Sequence, residues 1–285
     1  MDITRACWIA LVCLMVLATS GWAQEGPTAI YVMNADGSDA RQLIKVDGYS
    51  THSFPRWSHD GRWIVFDAVP KAGQRELFLV NSEGGGLRKL GIGSTPSWSP
   101  DDKQIAFYSF SVDARPHVAV QNLDGNGRSG LGPGKSPCWS TDGSLMALMD
   151  GKNLMILDMA SGESKKLFAE PFEEMLRGFR FSPDGKRLAF VARSSYDESP
   201  QLLLVDVQGA DNAAKPRLKA NMHGVVSFSP DGKRLIVSVE RVLQILEVDA
   251  DTPPQILPGQ RGQNLAPDWS PDGGKILFVS DRDVK

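Results

Sequence analysis

PDWSPDGGKILF, residues 267–278, recurs five more times in altered form. The copies are PRWSHDGRWIVF (55–66), PSWSPDDKQIAF (96–107), PCWSTDGSLMAL (137–148), FRFSPDGKRLAF (179–190) and VSFSPDGKRLIV (226–237). Their aromatic anchors are Trp57, Trp98, Trp139, Phe181, Phe228 and Trp269, spaced 41, 41, 42, 47 and 41 residues apart. Ser follows every anchor and Asp comes two residues after that Ser. Gly follows the Asp in five copies, Asp102 being the departure. Self-similarity at a period near 40 residues marks a repeat architecture.

Each copy has a physical reading. S-P-D-G is a turn: Pro fixes φ, Asp bonds its own backbone, and Gly accepts φ > 0. Apolar residues then alternate, as in Ile64/Phe66, Ile105/Phe107 and Leu188/Phe190, the period-2 pattern of a strand. A third strand follows, as in ELFLV (76–80) or QLLLV (201–205), then a Gly/Asn/Asp-rich turn and a short fourth strand such as that in GGGLRKL (84–90). Four strands per unit, six times over, predict an all-β, six-bladed β-propeller with four-stranded antiparallel blades. The anchor aromatics suit the wedge between adjacent blades.

The last copy stops after its second strand, whereas AIYVM (29–33) and ARQLI (40–44) near the start read as a third and a fourth. This N-terminal hairpin is expected to complete the last blade beside 275–280 and leave no long unpaired edge. Residues 24–285 form one domain on this reading. Its blades lie at about 48–90, 91–131, 132–167, 170–219, 220–257, and 259–285 with 25–44. Residues 171–177 are expected as one helical turn, and 209–217 as a polar hairpin loop.

Residues 1–23 read as a signal peptide. Arg5 is the one basic residue ahead of an apolar run over 6–20 that is too short to span a bilayer comfortably. Gly21 and Ala23 supply small residues for cleavage after Ala23. Leu11-Val12 before Cys13 is not a lipoprotein signal, so no lipid anchor and no membrane span are expected after cleavage. Loss of Cys7 and Cys13 leaves Cys138 alone, with no internal disulfide. Lys and Arg number 31 against 34 Asp and Glu, a net charge of −3 that does not suggest a nucleic-acid partner and gives no polybasic patch for an anionic membrane.

The string W-S-P-D-G-K-x-I-A-F followed by L-Y-V-M-N-A-D-G resembles the repeat of the TolB C-terminal propeller. Here Trp269–Phe278 and Ile30–Gly37 carry it, and the resemblance covers nearly all of 25–283. It implies a bacterial envelope protein, periplasmic or secreted, whose propeller engages another protein. TolB carries an α/β domain ahead of its propeller. Here only the leader precedes the repeats, so a stand-alone, monomeric TolB-like propeller is expected.

No hydrolase elbow, P-loop or zincin motif occurs. Gly125–Gly130 matches G-x-G-x-x-G but sits in a hairpin turn with no helix behind it. Asn34–Gly37 and Asn122–Gly125 resemble calcium loops but lack the closing Glu, and Asn/Asp-Gly is what hairpin turns ask for. His59 replaces Pro in a turn and is expected to face solvent. His52, His117 and His223 are the candidate metal ligands. With no carboxylate beside them no cofactor is assigned. A divalent metal there belongs to an alternative reading, a propeller lyase acting on glycan or uronate.

The reading carried forward is a non-catalytic propeller that binds an envelope protein or peptide at its channel mouth. The connections entering each inner strand (48–55, 91–96, 132–137, 170–179, 220–225, 259–267) are expected to rim that mouth. The loops at 67–75, 109–116 and 192–200 would share the face. The residue just before each anchor varies most in character: Arg56, Ser97, Cys138, Arg180, Ser227 and Asp268. Repeat equivalence suggests that the architecture does not demand these side chains. His52, Arg56, Lys135, Arg177, Arg180 and His223 are singled out as a partly basic rim suited to an acidic peptide or carboxylate. Phe110, Phe172 and Tyr196 lie in loops on the same side, where exposed rings would mark a contact patch.

Overall fold

The strands that follow the S-P-D-G turns are each the second strand of a four-stranded antiparallel sheet, and six such sheets are formed. A computed structural model describes residues 26–110, 114–207 and 214–283. The proposed leader and parts of the 109–116 and 209–217 loops lie outside the described residues.

The chain opens with the hairpin β1 (Ala29–Asn34) and β2 (Arg41–Ile44). Blade 1 holds β3 (Tyr49–Trp57), β4 (Trp63–Pro70), β5 (Glu76–Asn81) and β6 (Arg88–Ile92). Blade 2 holds β7 (Ser94–Trp98), β8 (Gln104–Phe110), β9 (Pro116–Asn122) and β10 (Ser129–Pro133). Blade 3 holds β11 (Lys135–Trp139), β12 (Leu145–Asp150), β13 (Asn153–Asp158) and β14 (Ser164–Lys166). Blade 4 holds β15 (Glu174–Phe181), β16 (Arg187–Arg193), β17 (Gln201–Asp206) and β18 (Lys215–Lys219). Blade 5 holds β19 (Met222–Phe228), β20 (Arg234–Val239), β21 (Val242–Glu247) and β22 (Gln255–Ile256). Blade 6 pairs β23 (Asn264–Trp269) and β24 (Lys275–Ser280) with the N-terminal hairpin.

The expected closure is present. Strand β1 lies antiparallel to β24, from Ala29 opposite Ser280 to Asn34 opposite Lys275. The first strands of successive blades touch all the way round, β23 against β3 included, which makes them the wall of a central channel. Between blades the sheets pack face to face. Val65, Leu77 and Leu79 of blade 1, for example, form one buried cluster with Trp98, Ile105 and Phe107 of blade 2.

The invariant Ser and Asp have a local cause. In all six turns the Ser hydroxyl donates to the Asp carboxylate at 2.5–2.7 Å. The same oxygen accepts the backbone N–H five residues on, at 2.8–2.9 Å. One hydroxyl thus closes the turn and starts the second strand. The following residue is left-handed, as at Gly61 (φ 71°) and Gly143 (φ 76°). Asp102 adopts that conformation too, at φ 55°, which Asp tolerates better than most residues. Its carboxylate accepts the N–H groups of His59 and Asp60 in blade 1, at 2.9 and 2.8 Å. The one departure from Gly is therefore a link between blades.

The helical turn expected at 171–177 does not form. Residues 174–181 are strand β15, with Glu174 opposite Arg193 and Leu176 opposite Val191. A seven-residue segment cannot repay helix nucleation when a neighbouring strand already offers its backbone partners.

Candidate functional site at the turn-side mouth of the channel

Every first strand carries a β-bulge a few residues before its anchor. Left-handed backbone marks it: Phe54 (φ 51°), Thr95 (51°), Ser136 (53°), Gly178 (110°), Gly224 (82°) and Ala266 (49°). Only two of the six are Gly, and Thr95 is β-branched, so the bulge is imposed by the ring rather than by local preference. After the bulge the alternation resumes, and Arg56, Ser97, Cys138, Arg180, Ser227 and Asp268 line a cavity of about 290 Å³. The anchors form its walls, and turn residues such as His59, Thr141, Pro183 and Pro271 form its lip. The cavity therefore opens on the S-P-D-G side of the disc.

Asp268 organises this mouth. Its Oδ1 accepts Arg56 Nη1 from blade 1 and Arg180 Nη2 from blade 4, each at 3.2 Å. Its Oδ2 accepts the backbone N–H of Trp57 at 2.9 Å. Blades 1 and 4 face each other in a ring of six, so one carboxylate ties opposite walls together. Arg56 is 4 % exposed. Burial, then repulsion by Arg180, pulls its pKa down to about 9 against the attraction of Asp268, and it stays charged at neutral pH. Two serines also stitch blades: Ser97 Oγ accepts Trp139 N at 3.2 Å and Ser227 Oγ accepts Trp269 N at 3.1 Å. The expectation that the architecture leaves these positions free is thus overturned at Ser97, Ser227 and Asp268. Cys138 is buried as a free thiol on the same wall.

The basic rim expected from sequence does not assemble as one group. Arg56 and Arg180 reach the turn-side mouth, opposite the connections that were expected to frame them. His52 is fully buried. Its N–H donates to Thr28 Oγ1 at 2.8 Å, and its Nε2 accepts Val46 N–H at 2.9 Å. Its ring lies against Phe66, 6.1 Å between centroids. Desolvation lowers its pKa to about 4, so it is a neutral core residue with no surface for a partner. Lys135 is half-buried at the entry end of β11, away from the arginines. His223 is half-buried at the start of β19, and burial followed by the charge of Arg241 holds it below the usual histidine range. Arg177 belongs to β15, and its side chain lies outside the described residues.

His117 Nε2 sits 3.3 Å from Ser109 Oγ. His52 and His117 have separate partners, His223 Nε2 is buried without one, and among the described residues no three His, Cys, Asp or Glu side chains gather as metal ligands. The G-x-G-x-x-G string is a hairpin turn between β9 and β10, closed by Asn122 N–H to Asn126 O at 2.9 Å. Asp36 of the first calcium-like loop spends its Oδ1 on Ser38 N and Oγ, at 2.9 and 2.7 Å. His59 is half exposed and pairs with Asp102 at 2.8 Å.

The entry side is closed. Phe54, Val225, Leu265 and Ala266, from blades 1, 5 and 6, form a buried cluster with Val279. Beneath the arginines, a pocket of about 10 Å³ is lined by Phe54, Thr95, Ser136, Gly178 and Phe179. Phe110 and Tyr196 are exposed on that face, whereas Phe172 packs on Phe168 and Phe190.

No protein-family model matches the sequence, and no curated protein matches it. Solved structures do. TolB from Acinetobacter baumannii superposes with a TM-score of 0.71 at 18% identity, over 92% of this chain and 71% of that one. A putative TolB from Agrobacterium tumefaciens gives 0.72 at 17% identity, over 90% and 98%. The fold is that of the TolB propeller. Oligogalacturonate lyase from Vibrio parahaemolyticus superposes less closely, with a TM-score of 0.53 at 11% identity, over 91% and 99%. At such identities a shared fold carries no activity with it, and the mouth of this TolB-like propeller is read from its own residues. Sequence reasoning picked out Arg56 and Arg180 but missed that Asp268 joins them. The signal was there: one acid and two arginines at repeat-equivalent positions of one channel wall.

Proposed function

We propose that this chain is a non-catalytic binding propeller of the bacterial envelope, exported by residues 1–23 to the periplasm or beyond. It holds a protein or peptide partner at the turn-side mouth of its channel, with Arg180 and the deeper Arg56 as the binding cations. The observation that carries this is the 290 Å³ cavity where all six blades converge, walled by aromatic anchors and floored by two guanidinium groups. Arg and large aromatics are the side chains that most often dominate protein interfaces. The lyase reading has only the shared fold behind it.

The test is capture of the mature protein's partner from its own envelope, beside Arg180→Gln. A partner held by wild type and lost in a variant that still melts cooperatively is the expected result. Capture of no specific partner by wild type would refute the reading.

A further inference from the structure

The charges at the mouth do not balance. Among the described residues lining the cavity, Arg56 and Arg180 are the cations and Asp268 is the only carboxylate. His59, on the lip, has its Nδ1 2.8 Å from Asp102 Oδ1. Within this lining one guanidinium charge has no counter-charge of its own, and both side chains are largely withdrawn from water, a costly state that a bound anion would relieve. The existing contacts are also incomplete. Both guanidiniums share one oxygen, Oδ1 of Asp268, at 3.2 Å, longer than the ~2.7–2.9 Å of a good charge-assisted bond. Neither makes the two-pronged pairing with a carboxylate that suits its geometry: Arg180 Nη1 donates to the Phe179 carbonyl at 3.2 Å, and Arg56 Nε is buried with no partner. Arg180 is the more exposed of the two, its side chain 16 % accessible against 5 % for Arg56. The aspartates of the surrounding turns are tied to their own serines and backbone.

The cavity is a blind well, since the channel beneath the arginines is filled. A blind well takes the end of a chain more readily than a strand passing through. Its rings stand close to its charge, so a terminal residue can place its carboxylate on Arg180 and its own side chain against Trp98 or Trp139. An internal Glu brings only its methylenes.

We propose that the turn-side mouth binds the C-terminal carboxylate of a peptide chain, Arg180 donating the two-pronged pair and Arg56 supplying charge from behind. This deepens the function proposed above and rests on it only for the origin of the peptide. The test is a titration of the mature protein, followed by tryptophan emission from the rings around the well. The probes are acetyl-Ala-Ala-Leu as free acid, the same peptide as C-terminal amide, and acetyl-Ala-Glu-Ala-amide. Saturable binding of the free acid is expected, weaker by on the order of 30-fold for the amide and for the internal Glu. Arg180→Gln is expected to weaken the acid by a similar factor and to leave the amide unchanged. No saturable binding, equal binding of acid and amide, or tighter binding of the Glu peptide would each overturn the assignment. The comparison of probes on wild type needs no variant to fold. Acid binding with no envelope partner would sink the function and leave the site; a captured partner with no acid–amide difference would do the reverse.

Discussion

The two ends of the channel are built from the same six strands and end differently. Toward the entry side, left-handed bulges and the apolar side chains of Phe54, Val225, Leu265 and Ala266 fill the axis. Toward the turn side, the residues just before the anchors leave an open well held by Asp268 between Arg56 and Arg180. One end is closed by packing and the other is spanned by charge. The lesson is that repeat symmetry fixes the wall, while a few symmetry-breaking side chains decide which end can receive something. Packing tolerates substitution in small steps, whereas a shared buried carboxylate does not.

The most severe way to break the comparison is to remove residues 26–44. Strand β24 then loses its partner β1, and the ring opens beside the site. The expected outcome is loss of the cooperative melt by circular dichroism, and an unchanged melt would show that closure is dispensable. Next is Asp268→Asn, which strands two guanidiniums at the open end. A loss of about 3–5 kcal/mol in denaturant unfolding is expected, and a loss below 1 kcal/mol would mean that the charges are not desolvated.

The closed end has its own test in pH. His52 is buried with a folded pKa of about 4, below the usual 6.5. The unfolded chain therefore takes up a proton that the folded protein refuses. Stability is complete above pH 6.5 and falls by up to about 3 kcal/mol as pH drops toward 4. His52→Gln should flatten that window, and an unaltered profile would discount His52. The turn aspartates add to acid loss only below that range. In Asp101, Asp142, Asp184, Asp231 and Asp272 the serine hydroxyl holds the carboxyl below its ordinary value. Their contribution is present above the usual carboxylate pKa and is lost as pH falls through the lower folded values.

The smallest effect expected is a gain. Ser136 holds φ 53° and buries a hydroxyl without a partner. Ser136→Gly should stabilise the protein by about 1 kcal/mol, measured as a higher midpoint in urea. Gly178→Ala should do the opposite: it sits at φ 110°, and a Cβ there would lie 3.0 Å from Val225 Cα.

The six blades, their order and the closure were legible because anchors, turn residues and alternating strands repeat at fixed offsets. Each of those marks proved to have a local cause, such as the serine hydroxyl that closes every turn. The site was legible only in part. Arg56 and Arg180 stood out because their repeat equivalents differ. The face they reach did not, because a bulge carried by Phe54, Thr95 and Ala266 leaves no Gly mark in the sequence. His52 read as a rim residue because its repeat position lies in an entering loop. Its burial comes from Thr28 and Val46, which only the closing hairpin brings there. Asp102 looked like a blemish in the turn motif and is a bond between blades.

The central claim is that the turn-side mouth, not the entry side, receives the partner. A photo-crosslinking residue placed at Thr141, exposed on the lip of the well, and separately at Ile92, exposed on the entry side, tests it in the living envelope. Capture of one specific partner from position 141 and none from 92 is the predicted result. Capture from 92 with none from 141 would contradict the account.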